Sequence, residues 1–71
     1  MQRKIIDYIV VCINEFANSK NLSQTEAFRY LYANKGIDFL EENYEIEHTL
    51  SLQEAVSDLS IICRNNGGMI A

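Results

Sequence analysis

The side chains best suited to metal or acid–base chemistry lie in the segment "EIEHT", residues 45–49. His48 is the single histidine of the chain, and it directly follows Glu47. A metal site needs three or four converging ligands, and no second histidine stands at helical spacing from His48. General-base catalysis needs a nucleophile or substrate pocket beside the imidazole, and no such arrangement follows from the spacing. We therefore expect no metal, no cofactor and no enzymatic activity. His48 is expected to hydrogen-bond within its own segment or to contact a partner.

The two cysteines could form one disulfide or act as a redox switch, but their surroundings favour buried thiols. Cys12 lies in "IVVCI" and Cys63 in "LSIIC", and in such runs cysteine packs as a small apolar residue. The N-terminal segment "MQRKIIDYIVVCINEF" begins like a signal peptide, yet Asp7 interrupts its apolar run and no small-residue cleavage site follows. We expect a soluble cytoplasmic protein with reduced cysteines and no membrane association.

Acidic residues are concentrated in the second half of the chain. Residues 37–71 contain seven Asp and Glu residues against Arg64 alone, whereas residues 1–36 contain five basic and three acidic residues. On a helix that starts at residue 37, four carboxylates share one face, and we call them the acidic stripe: Asp38, Glu41, Glu42 and Glu45. The stripe is either a solvated surface or an electrostatic docking surface for a basic protein. It argues against nucleic acid as a partner, because phosphates repel carboxylates.

Aromatic and basic side chains extend the predicted partner-binding surface. The buried face of the second helix is predicted to consist of Ala27, Phe28, Leu31 and Tyr32, and in "RYLY" Arg29 and Tyr30 are predicted to point away from it. Tyr and Arg are frequent anchors of protein interfaces. The predicted partner-binding residues are Asp38, Glu41, Glu42, Tyr44, Glu45, Glu47, His48, Arg29 and Tyr30.

One short pattern begins two of the predicted helices. "LSQTEA" (residues 22–27) and "LSLQEA" (residues 50–55) each place Ser at the N-cap and Glu three residues later. In such a capping box each of the two side chains binds a backbone N–H that the first helical turn leaves free. The caps Ser23 with Glu26 and Ser51 with Glu54 predict helices over about 24–34 and 52–64.

Apolar spacing predicts the remaining elements. A first helix is expected over about 3–19, with a buried strand as the alternative for its β-branched run "YIVVCI". Gly36 is expected to end the second helix in a left-handed conformation, before a short helix over 37–43. The alternating pattern of "YEIEHT" predicts an extended connector over 44–50. These elements predict an all-α bundle of about four short helices.

The length of 71 residues predicts a single domain, residues 1–71, with residues 66–71 frayed. A chain this short has a small core and is poorly suited to enclose a small-molecule pocket, which has typically at least about 300 Å3. The apolar surface of the first helix is broad, and three short helices are expected to leave part of it uncovered. Self-association or a permanent partner would complete the core, so a homo-oligomer is one possible assembly.

Three segments resemble a family of short bacterial proteins, the domain of unknown function 3791 family. They are "IIDYIVVCINEFA", "LSQTEAFRYL" and "IDFLEENYEIEHTLSLQEAVSDLSIICRNNGG". The most specific motifs are Asp7-Tyr8, Cys12-Ile13-Glu15, and Tyr44 with His48-Thr49. Other branches of the family continue after the His-Thr pair with a longer strand-like segment, whereas this chain enters a capped helix at Ser51. The family brings no catalytic residues with it.

The resemblance implies a role in a toxin–antitoxin pair. Genes of this family often lie beside, or are fused to, genes for proteins resembling ADP-ribosyltransferases, which implies that this chain is the antitoxin. A transferase of that kind binds the pyrophosphate of its dinucleotide, so its cleft is expected to be positive. The acidic stripe together with Glu47 could cover such a cleft. Two other functions stay open: a helix-turn-helix DNA-binding regulator built on the second and third helices, and a self-associating structural domain.

Overall fold

The computed structural model describes residues 2–68, and within that range the chain forms five helices and no strand. In chain order they are α1 Arg3–Lys20, α2 Gln24–Ala33, α3 Gly36–Glu42, α4 Tyr44–Glu47 and α5 Leu52–Asn65. The predicted all-α class is therefore confirmed. The bounds of the four longer helices differ from the predicted ones by at most one residue at either end.

Helix α1 is the central element of the bundle. It packs against α2, α3 and α5. Ile9, Cys12 and Phe16 are buried at helical spacing. The β-branched run is helical, so the strand alternative is wrong. Both cysteines are free and fully buried, as expected.

Both predicted capping boxes are present. The Ser23 hydroxyl accepts a hydrogen bond from the Glu26 amide at 3.1 Å, and Glu26 Oε1 accepts one from the Ser23 amide at 2.9 Å. Ser51 and Glu54 repeat this exchange at 3.1 and 3.4 Å. Hydrogen bonding to Ser23 lowers the pKa of the Glu26 carboxyl, because the bonds favour its charged form. The repeated pattern therefore starts helices.

The predicted role of Gly36 is wrong, because the left-handed residue between α2 and α3 is Lys35, with φ of 71°. Gly36 is instead the first residue of α3 and is buried. A Cβ atom at Gly36 would lie 2.9 Å from Leu31 Cδ2 and 3.2 Å from Cys63 Sγ. Glycine is required here for close packing of α3 against α2 and α5 rather than for its backbone freedom.

The predicted extended connector over 44–50 is also wrong, because residues 44–47 form the short helix α4. The Glu47 amide donates to the Asn43 carbonyl at 2.8 Å, and the His48 amide donates to the Tyr44 carbonyl at 3.0 Å. Tyr44 and Glu47, three residues apart, both turn towards the protein interior. The side chains of this segment therefore do not alternate between two faces, although polar and apolar residues alternate in its sequence.

Helix α2 is rotated relative to its predicted orientation. Its buried residues are Ala27 and Leu31, whereas Phe28 and Tyr32 are exposed. Tyr30 is half-buried and stacks on Phe16, with 5.7 Å between the ring centroids. Ala27, Tyr30 and Leu31 follow the i, i+3, i+4 spacing, so a small residue and one aromatic ring contact the core.

After α5 the chain turns back on itself. Gly67 has a φ of 88°, and the Gly68 amide donates to the Cys63 carbonyl at 2.8 Å. Residues 66–68 are thus described as a turn against the end of α5. The rest of the segment predicted to be frayed, residues 69–71, lies outside the described residues.

Candidate functional site

The acidic stripe lies on the surface of α3 and α4. All four of its carboxylates are exposed, as the sequence predicted. In the described part of the chain the one ion pair joins Arg3 and Asp7 of α1, at 3.6 Å, so no stripe carboxylate is paired there. The stripe is therefore an uncompensated negative surface. Such a surface attracts cations and repels phosphate, which disfavours the helix-turn-helix alternative.

Glu47 does not belong to this surface. Its side chain is only 4% exposed, and it is the one buried charged residue that the structure describes. Its Oε1 atom has no hydrogen-bond partner between residues 2 and 68. The prediction that Glu47 lies with the exposed acids is wrong, because α4 is helical and places Glu47 on the opposite side from Glu45.

The carboxyl of Glu47 lies beside that of Asp58 on α5. Burial, hydrogen bonding to Asp58, and the negative charges of Asp58 and then Glu54 raise the pKa of Glu47 to about 7. The carboxyl of Glu47 therefore holds a proton for a large part of the time near neutral pH. Glu47 and Asp58 are here called the carboxyl pair.

Two side chains of α1 complete this buried polar cluster. The hydroxyl of Tyr8 lies beside the Cys12 thiol and finds no partner of standard hydrogen-bond geometry among residues 2–68. Burial raises the pKa of Tyr8 and also that of Cys12, so both groups are neutral near pH 7. The sequence analysis missed this cluster. Its members come from three different helices, and no local pattern joins Tyr8, Glu47 and Asp58.

His48 ends α4 and stacks on Tyr44 from the same helix. The two ring centroids are 4.4 Å apart, and His48 Nδ1 is 2.7 Å from the Tyr44 carbonyl oxygen. Tyr44 also meets Tyr8 edge to face at 5.5 Å, and Lys4 Nζ lies 5.8 Å from the Tyr44 ring centroid. His48 therefore makes a local hydrogen bond, while its ring remains exposed at the edge of the acidic stripe.

The two predicted anchors on α2 have different environments. Arg29 is exposed, as predicted. Tyr30 is turned inward and stacks on Phe16, and burial raises the pKa of its hydroxyl. Tyr30 is thus a packing residue with a partly accessible edge, rather than the outward-pointing side chain that was predicted.

The outward side of α1 and α2 carries an exposed apolar surface, of which the α1 part was expected from the sequence and the α2 part was not. Val10 is 48% exposed, Phe28 45% and Tyr32 69%. Val10 and Phe28 border an open, shallow groove of about 330 Å3, whose remaining lining residues are Ile13, Asn14, Gln24 and Thr25. Its lining carries no formal charge, in contrast to the acidic stripe.

Comparison with protein families identifies the family of this chain. The profile of the family described as "Protein of unknown function (DUF3791)" matches residues 7–66. The chain belongs to the DUF3791 family. The match covers α2, α3, α4 and α5 completely and α1 from Asp7, so it includes the acidic stripe and the carboxyl pair of this DUF3791 chain. Comparisons with curated proteins and with solved structures gave no match.

Residues 2–68 contain neither a metal-binding cluster nor a membrane-spanning helix. No group of three or more His, Cys, Asp or Glu side chains is arranged to hold a metal ion. No helix in the same range is both long enough and apolar enough to cross a membrane. The acidic stripe and the carboxyl pair are the two features of this DUF3791 chain that require a functional explanation.

Proposed function

We propose that this DUF3791 protein is a non-enzymatic interaction module of the antitoxin type. In this proposal it binds and neutralises an ADP-ribosyltransferase-like toxin encoded by a neighbouring gene. The observation that carries the proposal is the acidic stripe, whose four exposed carboxylates have no basic neighbour in the described structure.

Electrostatics support this role. Like charges three and four residues apart destabilise a helix, and a basic partner removes that repulsion. A toxin cleft that binds the pyrophosphate of a dinucleotide is expected to be positive, so it is complementary to the stripe. Complementary charge accelerates encounter and orients the two proteins, although it adds less to affinity than its charge count implies.

The first test is functional. The full chain would be co-expressed with the product of the adjacent gene, the complex purified, and the consumption of NAD by the toxin measured with and without the chain. We expect a complex of fixed stoichiometry and suppression of NAD consumption. Undiminished NAD consumption in the presence of excess chain would overturn the proposal.

The second test locates the interface. The double variant E41Q/E42Q removes two stripe charges without changing side-chain size, and D7N/E15Q removes two charges from α1 as the matched control. We expect the stripe variant to weaken binding by about tenfold or more at low salt, chiefly through slower association, and the control to bind as the wild type does. Equal affinity of both variants would refute the assignment of the interface to α3.

A further inference from the structure

Helix α4 is attached to the rest of the protein through the Tyr44 ring, which contacts Tyr8, and through one buried acid, Glu47. Of its four residues, Glu47 alone is buried, while Glu45 and Ile46 are exposed and Tyr44 is half-buried. A helix of one turn has little stability of its own, so its position depends on tertiary contacts. The side chain that α4 inserts into the interior is therefore one whose burial depends on its protonation state.

The groups that face Glu47 cannot stabilise its charged form. From α1 the ionisable groups are Tyr8 and Cys12, and from α5 they are Glu54 and Asp58. None is a cation, and no ion pair to Glu47 is present among residues 2–68. An unpaired buried carboxylate is strongly unfavourable, and here a second carboxyl lies beside it.

We propose that α4 is a proton-controlled latch, which stays docked while the buried carboxyl of Glu47 holds a proton and swings out when that proton is lost. Protonated Glu47 can donate one hydrogen bond to Asp58 inside the protein. After deprotonation, the two adjacent negative charges repel each other, and Glu47 is better solvated outside.

The transition falls in a narrow range of pH near neutrality. The pKa of Glu47 is raised to about 7, so its carboxyl changes its charge between about pH 6 and pH 8. Opening moves Glu45, Tyr44 and His48 together, because they lie on or next to α4. The latch therefore controls one end of the acidic stripe. This consequence rests on the proposed function, whereas the motion itself does not.

Amide hydrogen exchange of the isolated full chain tests the latch. The His48 and Leu50 amides donate to the Tyr44 and Glu47 carbonyls, so they report on the docking of this segment. Exchange rates, divided by the intrinsic rate at each pH, would be measured by NMR at pH 6 and pH 8. With a pKa of about 7 in the docked form and an ordinary value in the open form, linkage predicts that protection falls about tenfold between these pH values.

Three variants make the test specific. E47Q keeps the size and removes the titration, so protection should not change with pH. D58N removes the neighbouring charge but leaves Glu47 buried, so amide protection should fall less with pH than in the wild type. E45Q alters an exposed acid of the same helix and should retain the full tenfold fall.

A tenfold fall that persists in E47Q would overturn the latch. If E47Q does not fold, D58N alone decides the test. A fall in amide protection equal to that of the wild type would then overturn the latch. Because no partner is present in these measurements, their outcome is independent of whether the chain neutralises a toxin.

Discussion

Replacing Glu47 by Gln should make this protein more stable at alkaline pH and leave its stability almost unchanged at acidic pH. The amide of Gln has the shape of the protonated carboxyl and can donate a hydrogen bond to Asp58. It carries no charge that must be buried. A gain of stability from removing an acid is unusual and follows from the environment of Glu47 in the structure.

The size of the effect follows from proton linkage. The pKa of Glu47 is about 7 in the folded protein and close to 4.5 when the side chain is free. A raised carboxyl pKa means that the folded state binds more protons than the unfolded state between these two values. The resulting stability is fully present below pH 4.5 and is lost as the pH rises through 7. Between pH 5 and pH 8 the free energy of unfolding should fall by about 2.5 kcal/mol.

Urea denaturation followed by far-ultraviolet circular dichroism measures this quantity directly. Wild type, E47Q and the control E45Q would be unfolded at pH 5, 6, 7 and 8, and the free energy of unfolding extrapolated to water. We expect the curves of wild type and E45Q to fall together with pH, while that of E47Q stays level. For a domain of this size, about 2.5 kcal/mol is a large part of the total stability.

Two results would refute the reasoning about Glu47. Parallel pH profiles of E47Q and wild type would show that another group causes the dependence. A wild type that gains stability from pH 5 to pH 8 would show that Glu47 is ionised when folded, because an acid with a lowered pKa produces the opposite slope.

Three further predictions follow from the packing. G36A should lower the free energy of unfolding by about 1–3 kcal/mol, because the added Cβ would lie 2.9 Å from Leu31 Cδ2; an unchanged midpoint in urea would contradict this. S51A should lower the free energy of unfolding by about 1 kcal/mol, because α5 loses its N-cap; a melting temperature equal to that of the wild type would show that the cap is dispensable. Cys12 and Cys63 should not react with a thiol reagent in the native protein at pH 7 but should both react in urea; rapid native reaction would mean that the core opens.

The longer helices could be predicted from the sequence because their determinants are local. The capping boxes at Ser23 and Ser51 involve residues three positions apart, and the apolar spacing of α1 needs only its own segment. The predictions were wrong where contacts between residues distant in sequence determine the structure. Gly36 is required by contacts with Leu31 and Cys63, and Lys35 takes the left-handed conformation that a glycine was expected to take.

The orientation of α2 shows how core volume overrides residue type. Phe28 and Tyr32 carry large rings, so they were predicted to lie inside together with Ala27 and Leu31. Ala27 and Leu31 are buried, whereas Phe28 and Tyr32 are exposed. Phe16 from α1 fills the core beneath α2 and stacks on Tyr30. The exposed Phe28 then borders the groove beside Val10, and its exposure could not be foreseen without knowing which residues fill the core.

The candidate site was predictable only where exposure follows from helical spacing. Asp38, Glu41 and Glu42 lie on the surface because Leu40 lies inside on the same helix. Glu47 could not be distinguished from them by type or by charge context, since its burial depends on Asp58, eleven residues later, and on Tyr8 in α1. A proton can make such a carboxyl compatible with the interior. A short helix that is docked by an acid of this kind is a natural place for the surface of a small protein to respond to pH.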